Sequence, residues 1–463
     1  MGAPHEPPDT STRAFLTLAW PLFVANLALV GNGTIDTIMA GRLSATDLAA
    51  VAVGSSIYVS VYIGLMGVLQ ALSPIAGHHY GAQRWRAIGD ELQQALWLSL
   101  FLTLVGLPLL IATDLWLGFA RVDRQVHGIA TTYLHAIAFG LPGALAARAF
   151  IALYASVSRP RITMLINVAA LALKVPLNAL FMYGYGPVEP MGGAGAGVAT
   201  AVLAWLMLAM NLAVWRFDPS FARFRSEAVH GPRWSRQRDL LKLGLPIGLS
   251  VLVEVTSFTF MAVLIARLGT AAVAGHQVVA NLAAILFMIP LALGIATSVL
   301  VAQSLGGGHP DVARKAALRG FRLALGIALA AALSLWVLRG SLVALFTVDA
   351  AVAAVALSLI GWTALFHIFD ACQGLCGFAL RGYKNAFWPM VIYGVALWGV
   401  GLAGGYWIAF YVTPLGPPRG ALGFWEAATA GLGIAAIALA WLAASVSRSV
   451  ARGTKKGPAI AGP

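Results

Sequence analysis

Several carboxylates in this chain sit where apolar residues prevail on both sides. The stretch SVLVEVTSF, residues 250–258, lies in a run from Leu243 to Ala266 that is otherwise almost wholly apolar or small. Ser250, Glu254 and Ser257 recur at i, i+4 and i+7, which puts them on one face of a helix. Phe366, Asp370, Gln373 and Gly377 make a second polar stripe, and Asn32, Gly33 and Asp36 make a third. A charge at the centre of a helix in hydrocarbon costs roughly 2.5–3.5 kcal/mol, so such groups turn toward a partner or a hydrated cavity and mark paths for ions or substrate. Glu254 and Asp370 both fall in the second half of the chain, and the simplest arrangement points them at one shared, partly hydrated cavity. A carboxylate placed there either exchanges a proton or stays charged and takes a cation.

Of the four deepest charges, Asp36, Lys174, Glu254 and Asp370, only Lys174 is basic. Asn178 and Thr200 are candidate hydrogen-bond partners for Asp36 within the first half. A structural ion pair between Asp36 and Lys174 is the plainer alternative, and a buried pair that opens and closes would itself be a transport element. His135, His276, His367 and Arg148 carry less weight. A single histidine inside a membrane serves equally well as a helix-to-helix hydrogen-bond donor, and Arg148, close to the end of its apolar run, can snorkel.

The elements that must hold these groups are membrane helices. Sixty per cent of the 463 residues are hydrophobic and 10% are charged, against roughly a quarter charged in a soluble domain. Twelve windows reach the roughly 20 apolar residues needed to cross a bilayer: 14–38, 48–73, 92–113, 130–153, 162–184, 194–215, 240–265, 272–300, 321–338, 352–376, 387–411 and 422–446. The first is too long for a removed signal segment and is read as a retained helix. The formal net charge of +13 raises the possibility of a nucleic-acid partner, but sorting by loop accounts for it. With the N-terminus inside, 22 Lys and Arg residues fall on the cytoplasmic side, Arg381, Lys455 and Lys456 among them, and six on the other, Arg121 among them. That asymmetry is the topology rule for basic residues, so no nucleic acid is expected and both termini are placed in the cytoplasm. Cys372 and Cys376 lie one turn apart and are read as packing residues.

The chain is written twice. An offset of about 225 residues brings Arg13 onto Arg238, Pro21 onto Pro246, Thr34 onto Thr259 and Arg42-Leu43 onto Arg267-Leu268. The expected fold is therefore an all-α integral membrane protein of 12 transmembrane helices in two pseudo-symmetric six-helix lobes. Residues 1–215 form the first lobe, 216–239 a cytoplasmic linker, 240–446 the second lobe and 447–463 a cytoplasmic tail. Parallel repeats of this kind are a transporter architecture. The offset places Asp36 opposite Met261, so the halves share a scaffold but not their charges.

DTIMAGRLSATDLAAVAVG after Ile35, YGAQR at Tyr80, KVPLNALFMYG at Lys174, LPIGLSVLVEV at Leu245, AGHQVVANL at Ala274 and LRGYKN at Leu380 together resemble the multidrug and toxic compound extrusion (MATE) family, of the NorM type. The resemblance implies a V-shaped pair of lobes and export of organic cations driven by inward flow of Na+ or H+. It implies that Glu254 and Asp370 form a cation site, with Na+ the one metal ion expected there, and that Asp36 takes part in coupling. Phe258 and Phe287 match family aromatics near that site, and Gln277 lies in the AGHQ motif. Phe366 stands where a tyrosine is common, and Lys174 where some members have asparagine. Cation-site or substrate lining is thus expected from Phe258, Phe287, Phe366, Gln277, Asn178, Thr200, Lys174, Ser250 and Ser257.

These readings converge on a secondary antiporter of a bacterial inner membrane. It would export cationic or hydrophobic drugs in exchange for Na+ or H+, with no cofactor and as a monomer. A flippase for a lipid-linked precursor with a related two-lobe plan is the alternative, although a cavity for anionic lipid should be lined with basic residues. A polytopic enzyme would need a catalytic constellation, and HExxH, GxSxG and paired His/Asp motifs are absent from the sequence. A passive channel is a further alternative, although the duplicated halves favour alternating access; accumulation of substrate against its gradient would separate the two.

Overall fold

A hydrocarbon environment leaves backbone N–H and C=O groups no water to bond, so each spanning segment must satisfy its own. The computed structural model, which describes residues 8–120, 123–226, 228–412, 414 and 416–453, meets that demand with helices. Arg121, Lys455, Lys456 and the rest of the tail beyond Gly453 lie outside the described residues. Among the described residues, twelve helices are long and apolar enough to span a membrane: α1 (Thr12–Leu43), α2 (Ala45–Gly81), α3 (Trp85–Ile111), α4 (Arg124–Ser156), α5 (Pro160–Tyr183), α6 (Gly193–Phe217), α7 (Trp234–Ala266), α8 (Thr270–Gly306), α9 (Pro310–Val337), α10 (Ala350–Gly382), α11 (Phe387–Phe410) and α12 (Gly420–Ala451). Each coincides with one of the twelve apolar windows.

The duplication is visible in backbone detail. After α2, the Arg84 N–H bonds the His79 carbonyl at 2.9 Å with Gln83 at φ 55°. After α8, 225 positions on, the His309 N–H bonds the Ser304 carbonyl at 2.9 Å with Gly308 at φ 81°. The ends of α4 and α10 repeat the device, with Arg159 N–H to Tyr154 O at 2.8 Å past Ser158, and Asn385 N–H to Leu380 O at 2.9 Å past Lys384. This is the bond pattern in which a left-handed residue lets the chain turn back and cap the last helical carbonyls. Pro21 and Pro246 lie inside α1 and α7. The equivalent helices α5 and α11 both contain wider π-helical turns, at Ala179–Tyr183 and Gly394–Gly404.

Contacts divide the chain into two compact units, Trp20–Gly248 and the described part of Met1–Ala19 with Leu249–Pro463. In the first, α4 packs most extensively on α6 and then α2; in the second, α10 packs on α8 and then α12. Small residues permit the approach: a Cβ on Gly140 of α4 would stand 2.6 Å from the Ala201 Cα of α6. Within the first unit, residues preceding α7 are fastened to α3. Gln94 Nε2 donates to the Gly231 carbonyl at 3.1 Å, Arg233 N–H to Gln94 Oε1 at 2.8 Å, and Arg236 forms an ion pair with the buried Glu91. α7 begins at Trp234, inside the segment read from sequence as linker.

Candidate functional site

In the second-half unit, Glu254 sits in the interior of α7 and Asp370 in that of α10. Gln373, one turn beyond Asp370, donates its side-chain N–H to Asp370 Oδ1 at 2.9 Å and also hydrogen-bonds Glu254. The two carboxylates are close enough to interact electrostatically, so one buried amide clips together two like charges. Its Oε1 has no partner among the described residues. Two carboxylates and an amide oxygen are hard oxygen donors of the kind that hold a small cation. The same carboxylates can instead carry a proton.

Arg381, sorted by sequence with the basic residues of the cytoplasmic side, also acts on this cluster. One further four-residue step along the stripe from Gly377 arrives at it, and helical side chains lean back toward the helix N-terminus. Its guanidinium carbon stands 4.4 Å from the Phe378 ring centroid and interacts electrostatically with Glu254 and with Tyr393 of α11. The Tyr393 hydroxyl would lie 2.6 Å from a Cβ at residue 377, so glycine there lets the phenol reach the stripe. Continuing the i+4 count beyond Gly377 would have exposed Arg381 in the sequence; nothing local to residue 393 marks Tyr393.

Phe258 and Phe366 come together around Trp425 of α12, with centroids 5.9 Å apart and each edge-on to the indole at 5.9 and 5.3 Å. Trp425 Nε1 donates to His276 Nδ1 at 3.2 Å, which leaves the Nε2 position for the proton of the neutral ring. His276 is thus an acceptor between helices, where the sequence allowed a donor or a proton carrier. Ser250 is buried, whereas the Ser257 hydroxyl donates to the Glu254 backbone carbonyl at 2.9 Å and so bonds its own helix.

Gln277 and Phe287 do not join the cluster. Gln277 is exposed and bonds Asn281 Oδ1 at 3.2 Å; one residue past His276, it is turned about 100° away around the helix. Phe287 shares the His276 face but lies about three turns further along, and no aromatic ring pairs with it among the described residues. His135 is exposed and His367 buried, and Arg148 is partly exposed. Cys372 and Cys376 are free thiols.

The first-half unit holds a second cluster. Lys174 Nζ lies 2.9 Å from Asp36 Oδ1, and Asn178 Nδ2 donates to the same oxygen at 2.7 Å. Lys174 also donates to Thr200 Oγ1, whose hydroxyl is 2.8 Å from the Ala196 carbonyl and 3.5 Å from Asp36 Oδ2. Lys174 and Asn178 are fully buried and Asp36 nearly so. The structure therefore brings Asp36, Lys174, Asn178 and Thr200 together, and the ion pair between Asp36 and Lys174 is formed.

A MatE family profile matches the chain twice, over residues 21–180 and 246–407, and the two matches start 225 residues apart, the offset of the internal repeat. The chain is 42% identical over 433 residues to "Probable multidrug resistance protein NorM" of Aromatoleum aromaticum, with 93% of each chain covered. It is 36% identical over 439 residues to "Multidrug resistance protein PmpM" of Pseudomonas aeruginosa, covering 92% of this chain and 90% of that one. In fold it is similar to the crystal structure of the eukaryotic MATE transporter AtDTX14, with a TM-score of 0.85 at 20% identity over 96% of this chain and 99% of that one. A multidrug resistance MATE family transporter of the MOP superfamily in its outward-facing conformation gives a TM-score of 0.84 at 18% identity, over 95% and 96% of the two chains.

Proposed function

This chain belongs to the multidrug and toxic compound extrusion family, and on that premise we propose that it exports hydrophobic cationic compounds in exchange for an inward-moving Na+ or H+. It is a multi-pass membrane transporter for multidrug efflux, not an enzyme. The observation that carries the finer reading is the Glu254 and Asp370 pair joined by Gln373 inside the second-half unit. An interior carboxylate pair is costly in a membrane and marks an ion path.

The mechanism is competition for negative charge. A coupling cation or proton on Glu254 or Asp370 removes charge that would otherwise attract a cationic drug, and linkage requires that the drug weaken coupling-ion binding by the same factor. The ring faces of Phe258 and Phe366 supply further attraction for a cation, worth roughly 0.5–2 kcal/mol. Arg381 acts as an internal positive charge that keeps cation binding at Glu254 weak enough to be reversed. Asp36 contributes coupling from the first half, both termini face the cytoplasm, and one chain carrying both halves suffices as a monomer.

The test is drug efflux from proteoliposomes under an imposed Na+ gradient and, separately, an imposed pH gradient. One gradient is expected to drive transport, with Glu254→Gln and Asp370→Asn each lowering the driven rate at least about ten-fold, as losing roughly 1.4 kcal/mol or more of ion binding requires. Full activity in both variants overturns the role given to the second-half carboxylates.

A further inference from the structure

The first-half cluster already contains a cation, and that cation is part of the chain. Lys174 Nζ reaches Asp36 Oδ1 at 2.9 Å and Thr200 Oγ1 at 2.5 Å from a fully buried position. Asn178, one turn further along the same face of α5, is also fully buried. It donates to Asp36 through Nδ2, and its Oδ1 has no partner among the described residues. The Ala196 carbonyl stands 2.8 Å from the Thr200 hydroxyl oxygen. Without the ammonium, what remains is a carboxylate, an amide oxygen, a hydroxyl and a main-chain carbonyl, which are the donors hard cations take. With it, Asp36 and Lys174 sum to zero. A second positive charge would then enter a buried site with no net negative charge to repay its lost hydration.

We propose that Lys174 is a tethered cation filling an oxygen-donor site and thereby sets the ion specificity of the first half. The site is closed to free alkali ions while the lysine is present and accepts Na+ when it is removed. A purely structural ion pair would show the same contacts, but deleting its lysine would leave an unpaired carboxylate and no ion site. The inference deepens the antiporter reading by assigning ion specificity within it, and its test reads ion binding alone, so a failure to transport does not bear on it.

The experiment uses full-length protein in detergent carrying Glu254→Gln and Asp370→Asn, which removes the second-half carboxylates as Na+ ligands. Unfolding temperature is compared in sodium chloride and in choline chloride at equal ionic strength, across a concentration series. With Lys174 present, no Na+-specific shift is expected. Adding Lys174→Asn is expected to produce a saturable, Na+-specific rise of several degrees, because a ligand that binds only the folded state stabilises it by mass action. Lys174→Met, which contributes no oxygen, should give a smaller rise. Asp36→Asn should abolish both. A Na+-specific, Asp36-dependent shift with the lysine still in place overturns the proposal, as does the absence of any shift in both lysine variants. Failure of both variants to fold in either salt also overturns it, since Na+ should stand in for the ammonium; folding in sodium but not in choline supports it.

Discussion

Deleting one member of the Asp36 and Lys174 pair is expected to cost far more than deleting both. At the observed 2.9 Å and an effective dielectric of about 20, the attraction is about 6 kcal/mol. Desolvating the two ions costs several kcal/mol each, so the intact pair nearly breaks even, while an ion stripped of its partner costs about 3–5 kcal/mol. Lys174→Met and Asp36→Asn should therefore each destabilise by about that much. The double variant should lie within about 1.5 kcal/mol of the parent, for reasons legible in the packing. Methionine fills the buried stem of the lysine with a flexible apolar chain, and asparagine at 36 still offers an oxygen to Asn178, now 2.7 Å from the carboxylate. Thr200 keeps its bond to the Ala196 carbonyl. The assay is a double-mutant cycle by reversible denaturation in mixed micelles with choline as the only salt cation, so that no alkali ion replaces the ammonium. A double variant whose loss equals the sum of the single losses to within about 0.5 kcal/mol would refute the assignment of an energetically coupled buried pair.

Two further outcomes follow from the packing and the charges. Arg381→Gln should tighten cation binding in the second-half unit about ten-fold, about 1.4 kcal/mol, because it removes a positive charge that acts on Glu254. Equilibrium titration with Na+ or a fluorescent organic cation checks this, and unchanged or weaker binding counts against the role given to Arg381. Gly140→Ala should cost about 1–3 kcal/mol by overpacking, because its Cβ would meet Ala201 Cα at 2.6 Å. Gly326→Ala, with nothing within 4 Å, should be neutral or stabilising by up to about 1 kcal/mol, so equal unfolding temperatures for both variants would contradict the close approach of α4 and α6.

Much of the candidate site is legible in the sequence. Glu254, Asp370 and Asp36 stand out because hydropathy is a property of each residue, and a carboxylate in an apolar run is anomalous wherever its helix points. Gln373 was on the Asp370 stripe, but that its amide reaches a second carboxylate on another helix depends on how α7 and α10 are rotated. That Arg381 acts on Glu254 is hidden for a related reason: a position near a helix end says nothing about whether a long side chain runs outward or folds back. Gln277 was expected to line the site from its motif, and a one-residue rotation on α8 points it elsewhere.

By itself the sequence determined the twelve spans, the two-fold repeat and the short set of interior charges. Each follows from periodicity and composition along the chain, and the capping turns at Gln83 and Gly308 and at Ser158 and Lys384 repeat at that same spacing. Only the tertiary structure decided who partners whom. Asp36 could have faced Lys174, Asn178 and Thr200 singly or together, and the packing of α1, α5 and α6 brings all three to one carboxylate. His276 reads from sequence as a donor or a proton carrier, and the indole of Trp425, 149 positions away, makes it an acceptor. Such pairings rest on the angle and depth at which separate helices meet, which are set by side chains distant in sequence. An interior charge is therefore legible from one helix, while its counter-charge is not.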